Sequence, residues 1–288
     1  MSQSRSGLGI GLMILAMLIF ALQDGISRYL AGIYGVVLIV MLRYWFFAAF
    51  VVAMSVRQEG GLREISRSKF LVLQIFRGVL LVAEIVVMIT GFTRLGLAES
   101  HAIFACYPLI VAGLSGPVLG ERVGWRRWLA IGIGFCGLLL ILRPGDRVFS
   151  ADALIPLLAA AMFAAYSLLT RMAAAYDQPE TSFFWTGVAG VVAITLWGFS
   201  TWQPLSATDW AWMTALGILG SLGHFTLIKA LATAEAAVIQ PFAYFHFVFA
   251  TLVGVFVFNE MMDAWTLMGA LVITLAGLFT IWREAKAR

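Results

Sequence analysis

Apolar residues run along this chain in long blocks, separated by short stretches that hold most of the charged residues. The blocks fall at residues 8–29, 33–56, 69–93, 97–119, 126–142, 152–174, 180–199, 209–232, 235–258 and 264–282. Within a block the apolar positions do not alternate as in a half-buried strand, and they leave no polar stripe as on a helix packed against a water-soluble core. Helices of about 20 apolar residues cross the hydrocarbon of a bilayer. The pattern therefore predicts an all-α integral membrane protein with ten transmembrane helices and no soluble domain. A transmembrane barrel would also satisfy its backbone in lipid, but its strands would alternate apolar and polar.

A second pattern is laid over the first. Leu95 to Glu99 reads Leu-Gly-Leu-Ala-Glu, followed by an apolar helix broken by Pro108, a turn at Gly120-Glu121-Arg122 and a glycine-spaced helix. From Leu231 the chain reads Leu-Ala-Thr-Ala-Glu to Glu235, then an apolar helix with Pro241, a turn at Asn259-Glu260 and a helix bearing Gly269, Ala276 and Gly277. Such internal duplication is common in transporters. It divides the chain into five-helix repeats at 1–145 and 146–288. Five is odd, so the second repeat is expected to lie inverted in the membrane. The copies are imperfect, since Phe247 stands where the spacing from Glu260 would put the second proline.

Composition agrees with lipid as solvent, with 62% hydrophobic and 12% charged residues and a mean hydropathy of +0.95. Charge then sets orientation. With both termini on one side, that side takes Arg5, Arg57, Arg63, Arg67, Lys69, Arg122, Arg126, Arg127, Arg171, Lys229, Arg283, Lys286 and Arg288. The other side takes Arg28, Arg94, Arg143 and Arg147, while Arg43 and Arg77 fall inside spans. Loops rich in Lys and Arg stay in the cytoplasm, so both termini are expected to be cytoplasmic. The basic N-terminus before an apolar block resembles a signal peptide, but the block is long and lacks a convincing cleavage site, so it reads as a retained first helix. Basic residues beside spans serve topology and anionic lipid rather than nucleic acid. Cys106 and Cys136 match no metal-binding or disulfide spacing.

The duplicated five-helix unit, the spacing from Pro108 to Glu121-Arg122 and the run ending Leu142-Arg143-Pro144-Gly145 resemble the EamA-type branch of the drug/metabolite transporter superfamily. The resemblance covers almost the whole chain. It implies a ten-helix exporter of small organic solutes in the inner membrane, similar to YddG-type amino-acid exporters, with no cofactor.

Polar groups inside spans are costly in lipid and mark function or internal pairing. Gln23 and Asp24 in the first block and Glu84 in the third are the deepest. Asp24 could line a cavity or partner Arg43, and Glu84 could exchange a proton or pair with Arg43 or Arg77. The broken fourth block offers His101, Phe104 and Tyr107 beside Pro108, and the ninth offers Phe242, Tyr244 and His246 beside Pro241. Broken helices at matching places in two halves point to a transporter's midplane site, with the prolines as hinges. Phe163, Tyr166 and His224 complete the expected substrate lining. The small-residue stripes of the fifth and tenth blocks suit helix packing or a homodimer contact.

Glycine-Lys phosphate loops, zinc-helix motifs and nucleophile elbows are absent from the sequence, which disfavours an ATP-driven pump, a metalloenzyme or a hydrolase. The expected function is secondary transport by alternating access through a central cavity. A proton-independent facilitator or channel stands as the nearer alternative, and a membrane-embedded lipid enzyme using Asp24, Glu84 and His101 as the remoter one. Few fixed charges among many aromatics favour apolar or aromatic amino acids over sugar phosphates, because Asp24 and Glu84 are available to neutralise Arg43 and Arg77.

Overall fold

The computed structural model describes residues 2–56, 61–120, 124–142, 152–261 and 263–286, and among them every regular element is helical. The first half contributes α1 (Ser2–Tyr34), α2 (Val36–Val56), the short α3 (Gly61–Ile65), α4 (Leu71–Leu95), α5 (Leu97–Phe104), α6 (Tyr107–Leu119) and α7 (Trp125–Leu142). The second contributes α8 (Leu154–Ala173), α9 (Pro179–Gly198), α10 (Ala207–Thr233), α11 (Ala236–Ile239), α12 (Phe245–Phe258) and α13 (Ala264–Lys286).

Among the described residues, seven segments are long and apolar enough to cross a membrane: Ser6–Tyr34, Val36–Ala53, Leu71–Leu95, Leu97–Leu119, Leu154–Ala173, Pro179–Thr201 and Ala207–Thr233. Phe242–Phe258 and Leu267–Ala276 are shorter apolar helices. The outward faces are apolar too: Leu196 is 83% exposed and Phe256 is 78% exposed. Water would penalise that exposure and acyl chains would not. The protein is a multi-pass membrane protein.

The helices pack in a recurring set of pairs. Helix α1 lies along α10 and against α12, while α4 lies along α8 and against α9. Helix α8 touches both α5 and α6; α2 packs on α9 and α10, and α7 on α13. At the last of these contacts a Cβ on Gly137 would sit 2.7 Å from the Gly269 carbonyl oxygen. The small residues expected to serve packing or dimerisation are thus used inside one chain at this crossing.

The span at 97–119 is two helices. Pro108 offers no N–H to the carbonyl four residues back and its ring crowds that turn, and the chain responds by tightening upstream. The N–H of Cys106 bonds the Ile103 carbonyl at 3.2 Å, and that of Leu109 bonds the Cys106 carbonyl at 3.0 Å. The break therefore lies at Ala105–Cys106, and Pro108 sits in the first turn of α6. The ninth block is broken more extensively, with α11 followed by a 3-10 turn over Gln240–Tyr244 before α12 begins. Pro241 lies in that turn, and its side chain falls outside the described residues.

The expected equivalence of Glu99 and Glu235 does not hold in three dimensions. Glu99 is the third residue of α5, whereas Glu235 caps α11 from outside. The turn at Glu121–Arg122 and the segment from Arg143 to Gly145 lie outside the described residues. Their second-half counterpart is visible: Asn259 ends α12 in the left-handed region at φ 52°.

Two polar clusters tie the helix ends. At one end, Asp177 accepts hydrogen bonds from Gln74 at 2.8 Å, from the Lys69 N–H at 3.0 Å and from Ser68. Partial burial by itself pushes the Asp177 carboxyl up, and these bonds outweigh it and hold it below the usual carboxylate range. At the other end, Arg28 pairs with Glu260 and lies 4.2 Å over the Phe258 ring.

Candidate functional site

Where α1, α4 and α10 meet the breaks of α5 and α12, side chains surround a pocket whose gaps, with the open space at its mouth, come to about 400 Å³. The side chains crowd this space, so entry of a solute requires them or the helices to move. Its wall has three chemical parts: a carboxylate and imidazole group of Asp24, His101 and His246; the cation Arg43 beside His224; and an apolar face of Phe20, Ile85, Met88, Ile89, Phe92, Phe104 and Phe163. Gln23 and Glu84 fill the remaining polar positions.

Asp24 is the centre of the first part. His246 Nε2 lies 3.0 Å from its Oδ2 and His101 Nε2 3.2 Å from the same atom. The His101 contact is close enough for an ion pair but lies outside hydrogen-bond geometry, and His101 Nε2 has no hydrogen-bond partner. The two imidazoles are edge to face with centroids 4.4 Å apart. They are brought together because α5 ends at the first break, α12 starts at the second, and the two helices pack against each other and against α1.

Arg43 is buried, and its Nη2 lies 3.1 Å from His224 Nε2. A guanidinium only donates, so His224 accepts through Nε2 and carries its proton on Nδ1, which is itself buried without a partner. The close approach of α10 fixes this pair: a Cβ on Gly220 would lie 2.7 Å from Arg43 Nε and 3.1 Å from Gln23 Oε1. Only glycine leaves that room.

The expected pairing of Arg43 and Arg77 with Asp24 or Glu84 does not form. No ion pair within 4 Å joins them among the described residues, and Glu84 has no hydrogen-bond partner there. Arg77 is wholly buried and takes neutral acceptors instead. Nε donates to Gln74 Oε1 at 2.8 Å, Nη1 to Tyr166 Oη at 3.2 Å and Thr170 Oγ1 at 3.0 Å, and Nη2 to the Ser182 carbonyl. Although Arg77 and Glu84 share a face of α4, two turns of helix separate them by roughly 10 Å, enough to give them different neighbours.

Of the residues expected in the site, Gln23, Asp24, Glu84, His101, Phe104, Phe163 and His224 stand around the pocket. Four stand outside its wall. Tyr166 is drawn away by Arg77. Tyr107 lies behind the pocket, with its hydroxyl 3.7 Å from Met17 Sδ and its ring against Phe104 and Phe163. The 3-10 turn carries Tyr244 into the apolar core and leaves the half-buried Phe242 packed against it.

The pocket also takes residues that were not singled out for it. Glu84, Ile85, Met88, Ile89 and Phe92 follow the i, i+1, i+4, i+5, i+8 spacing of one helical face, and Phe20, Gln23 and Asp24 the i, i+3, i+4 spacing of one face of α1. That spacing was available in the sequence. It gained meaning only once Glu84 and Asp24 were known to face the same space.

Beyond Phe92 a wider vestibule opens at the Arg28 end, lined by Arg28, Gly96, Glu99, Glu260 and Asp263 among others, and Phe92 lines both spaces. Glu260 stands in the vestibule wall. It accepts from the backbone N–H groups of Leu97 at 2.9 Å and Ala98 at 2.8 Å, while it pairs with Arg28. A second-half carboxylate thus caps the N-terminus of a first-half helix, where unpaired N–H groups favour an anion. Gly96, at φ 90°, makes the approach possible, since a Cβ there would sit 2.7 Å from Glu260 Oε1.

A polytopic helical fold with broken helices around a polar pocket is a form that membrane transporters take. The chain belongs to the EamA-like transporter family, which it matches over residues 7–143 and again over 150–282. It is 27% identical over 280 residues to an S-adenosylmethionine uptake transporter of Rickettsia bellii, covering 97% of this chain and 95% of that one. A riboflavin transporter of Vibrio cholerae is also 27% identical, over 279 residues that cover 96% of this chain and 94% of the relative. A solved crystal structure superposes with a TM-score of 0.74 at 17% identity, covering 98% of this chain and 99% of that one, and shares the fold. Transport rather than catalysis is the activity of this family.

Proposed function

We propose that the protein is an alternating-access secondary transporter for amphipathic zwitterions that carry an amino-acid group, with the central pocket as its binding site. The observation that carries this reading is the convergence of one cation, Arg43, with two carboxylates, Asp24 and Glu84, beside an aromatic wall. An amino-acid carboxylate suits Arg43, its ammonium suits Asp24 or Glu84, and an apolar or aromatic remainder suits Phe20, Phe92, Phe104 and Phe163. Apolar and aromatic amino acids fit this description, and so does S-adenosylmethionine, the solute named for one relative. A phosphorylated solute needs several convergent cations, and Arg77 is held elsewhere. Export, implied by the resemblance, is one direction such a carrier can run, and one relative is named for uptake.

The architecture in this proposal is ten spans in two inverted repeats, 1–145 and 146–288, in the inner membrane with both termini cytoplasmic. Exchange of the halves supports it, because the pair α1 with α10 then maps onto α8 with α4, and α1 with α12 onto α8 with α6. Exposed positions at opposite ends report the orientation: T208C should react with an impermeant thiol reagent from the periplasm and R67C should not, and the reverse labelling would overturn it.

Proteoliposomes loaded with unlabelled phenylalanine, methionine, S-adenosylmethionine, riboflavin, glucose or a sugar phosphate test the substrate class by counterflow of labelled zwitterion. Saturable exchange with the zwitterions is expected. Exchange with the sugar phosphate but with no zwitterion would sink the proposal, and linear, non-saturable flux would favour a channel.

A further inference from the structure

The groups around Asp24 have the composition and spacing of a metal site. His101 comes from α5, His246 from α12 and Asp24 from α1, and one ligand atom from each lies within 4.8 Å of the others. All three residues are buried. A divalent ion about 2.0–2.1 Å from nitrogen and oxygen ligands in a tetrahedral site sets those ligands roughly 3.3 Å apart. The two Nε2 to Oδ2 distances, 3.2 and 3.0 Å, are close to that edge. A second observation points the same way: His101 Nε2, in a side chain 1% exposed, faces the cluster with no hydrogen-bond partner.

We infer that Asp24, His101 and His246 bind a divalent transition cation of the zinc class, and that the bound ion holds the two halves of the protein together and inhibits transport.

Two imidazoles and one carboxylate select borderline transition ions over Mg²⁺ and Ca²⁺, which require more oxygen ligands. The surroundings tolerate the charge. Asp24 offsets Arg43, whose guanidinium is turned to His224. The fourth position opens on the pocket, where Gln23 Oε1 is buried without a partner. His224 lines the same pocket but has its Nε2 committed to Arg43, so it stands outside the ligand set.

The inhibitory consequence follows from where the ligands sit. Asp24 and His101 belong to the first family match and His246 to the second. A carrier that alternates must let α5 and α12 move relative to α1, and three coordination bonds across them favour one arrangement only. An ion that binds one state better than the other shifts the population toward it. Only this inhibitory part rests on the transporter reading; binding itself does not.

Equilibrium dialysis and thermal unfolding of the detergent-solubilised full chain, with every affinity tag removed, test the binding using Zn²⁺ alone. One saturable Zn²⁺ per chain is expected, with a rise in unfolding temperature that Mg²⁺ does not produce. H246Q and H101Q should each weaken binding by at least about tenfold, the scale set by disturbing even outer partners of a metal ligand. H224Q should leave it close to the wild-type value, because the His224 imidazole is engaged with Arg43 and stands outside the ligand set. Two conservative variants on different helices guard against a change that merely unfolds one of them. Absence of saturable Zn²⁺ binding, retention of it in both H246Q and H101Q, or equal loss in H224Q would overturn the site. Zn²⁺ binding without inhibition of counterflow in wild-type proteoliposomes would overturn the clamp, and absence of any counterflow with binding intact would refute the transporter reading instead.

Discussion

Among the described residues two arginines, Arg43 and Arg77, are buried within spans, and they are used in opposite ways. Arg77, on α4, gives its guanidinium to Gln74, Tyr166, Thr170 and the Ser182 carbonyl, so that nearly every donor is met by a neutral acceptor. Arg43, on α2, bonds the single nitrogen of His224 and lines the pocket. A buried charge with a filled shell joins helices, because losing it strands every group that pointed at it. A buried charge with a sparse shell beside open space retains donors for a ligand. The difference between the two is therefore one between assembly and recognition.

The comparison breaks most sharply under substitution. R77Q should greatly reduce the folded, monodisperse fraction, since stranded buried acceptors cost roughly 1–3 kcal/mol each. R43Q should retain folding close to wild type while abolishing counterflow. Size-exclusion profiles and thermal scans beside transport assays check both, and a well-folded, active R77Q or an unfolded R43Q would reverse the assignment.

A second pair of variants asks how the pocket is shut on the Arg28 side. In F92C the reporter thiol lies between vestibule and pocket. Adding E260Q removes the anion from the α5 N-terminus and from Arg28, a loss of about 0.5–2 kcal/mol for a cap or partly buried pair. Thiol labelling of F92C should accelerate by a few fold to tenfold when E260Q is present; an unchanged rate would show that the Glu260 contacts do not hold that closure.

The smallest expected change concerns proton dependence. E84Q should alter the pH profile of counterflow more than H101N, because Glu84 faces the pocket with no hydrogen-bond partner among the described residues, whereas His101 is one of two imidazoles around Asp24. Identical profiles in both variants would leave a proton-independent facilitator as the better account.

Much of this arrangement was legible along the chain. Polar residues in apolar spans are few, so Asp24, Glu84, His101 and Arg43 drew notice by their cost alone. The apolar half of the site was harder to read, because Ile89 or Met88 in a membrane helix looks like any lipid-facing residue until its neighbours are known. The aromatic residues were harder still: Tyr166, Tyr107, Phe242 and Tyr244 are large and ring-bearing like Phe104, yet they pack behind the wall or against Arg77.

The sequence by itself determined the solvent, the helical class and the duplication. Block length and uniform hydropathy dictate helices in lipid, where each backbone group must be satisfied within its own segment, and Pro108 and Pro241 mark where that rule bends. Tertiary structure alone decided the partners. Which acceptor meets Arg77, why Arg43 turns to His224 rather than to Asp24, and how His101 and His246 converge on one carboxylate from positions 145 residues apart depend on helix crossings. In a hydrocarbon solvent a buried polar group takes the best partner within a few ångströms, and only packing sets which groups are that near.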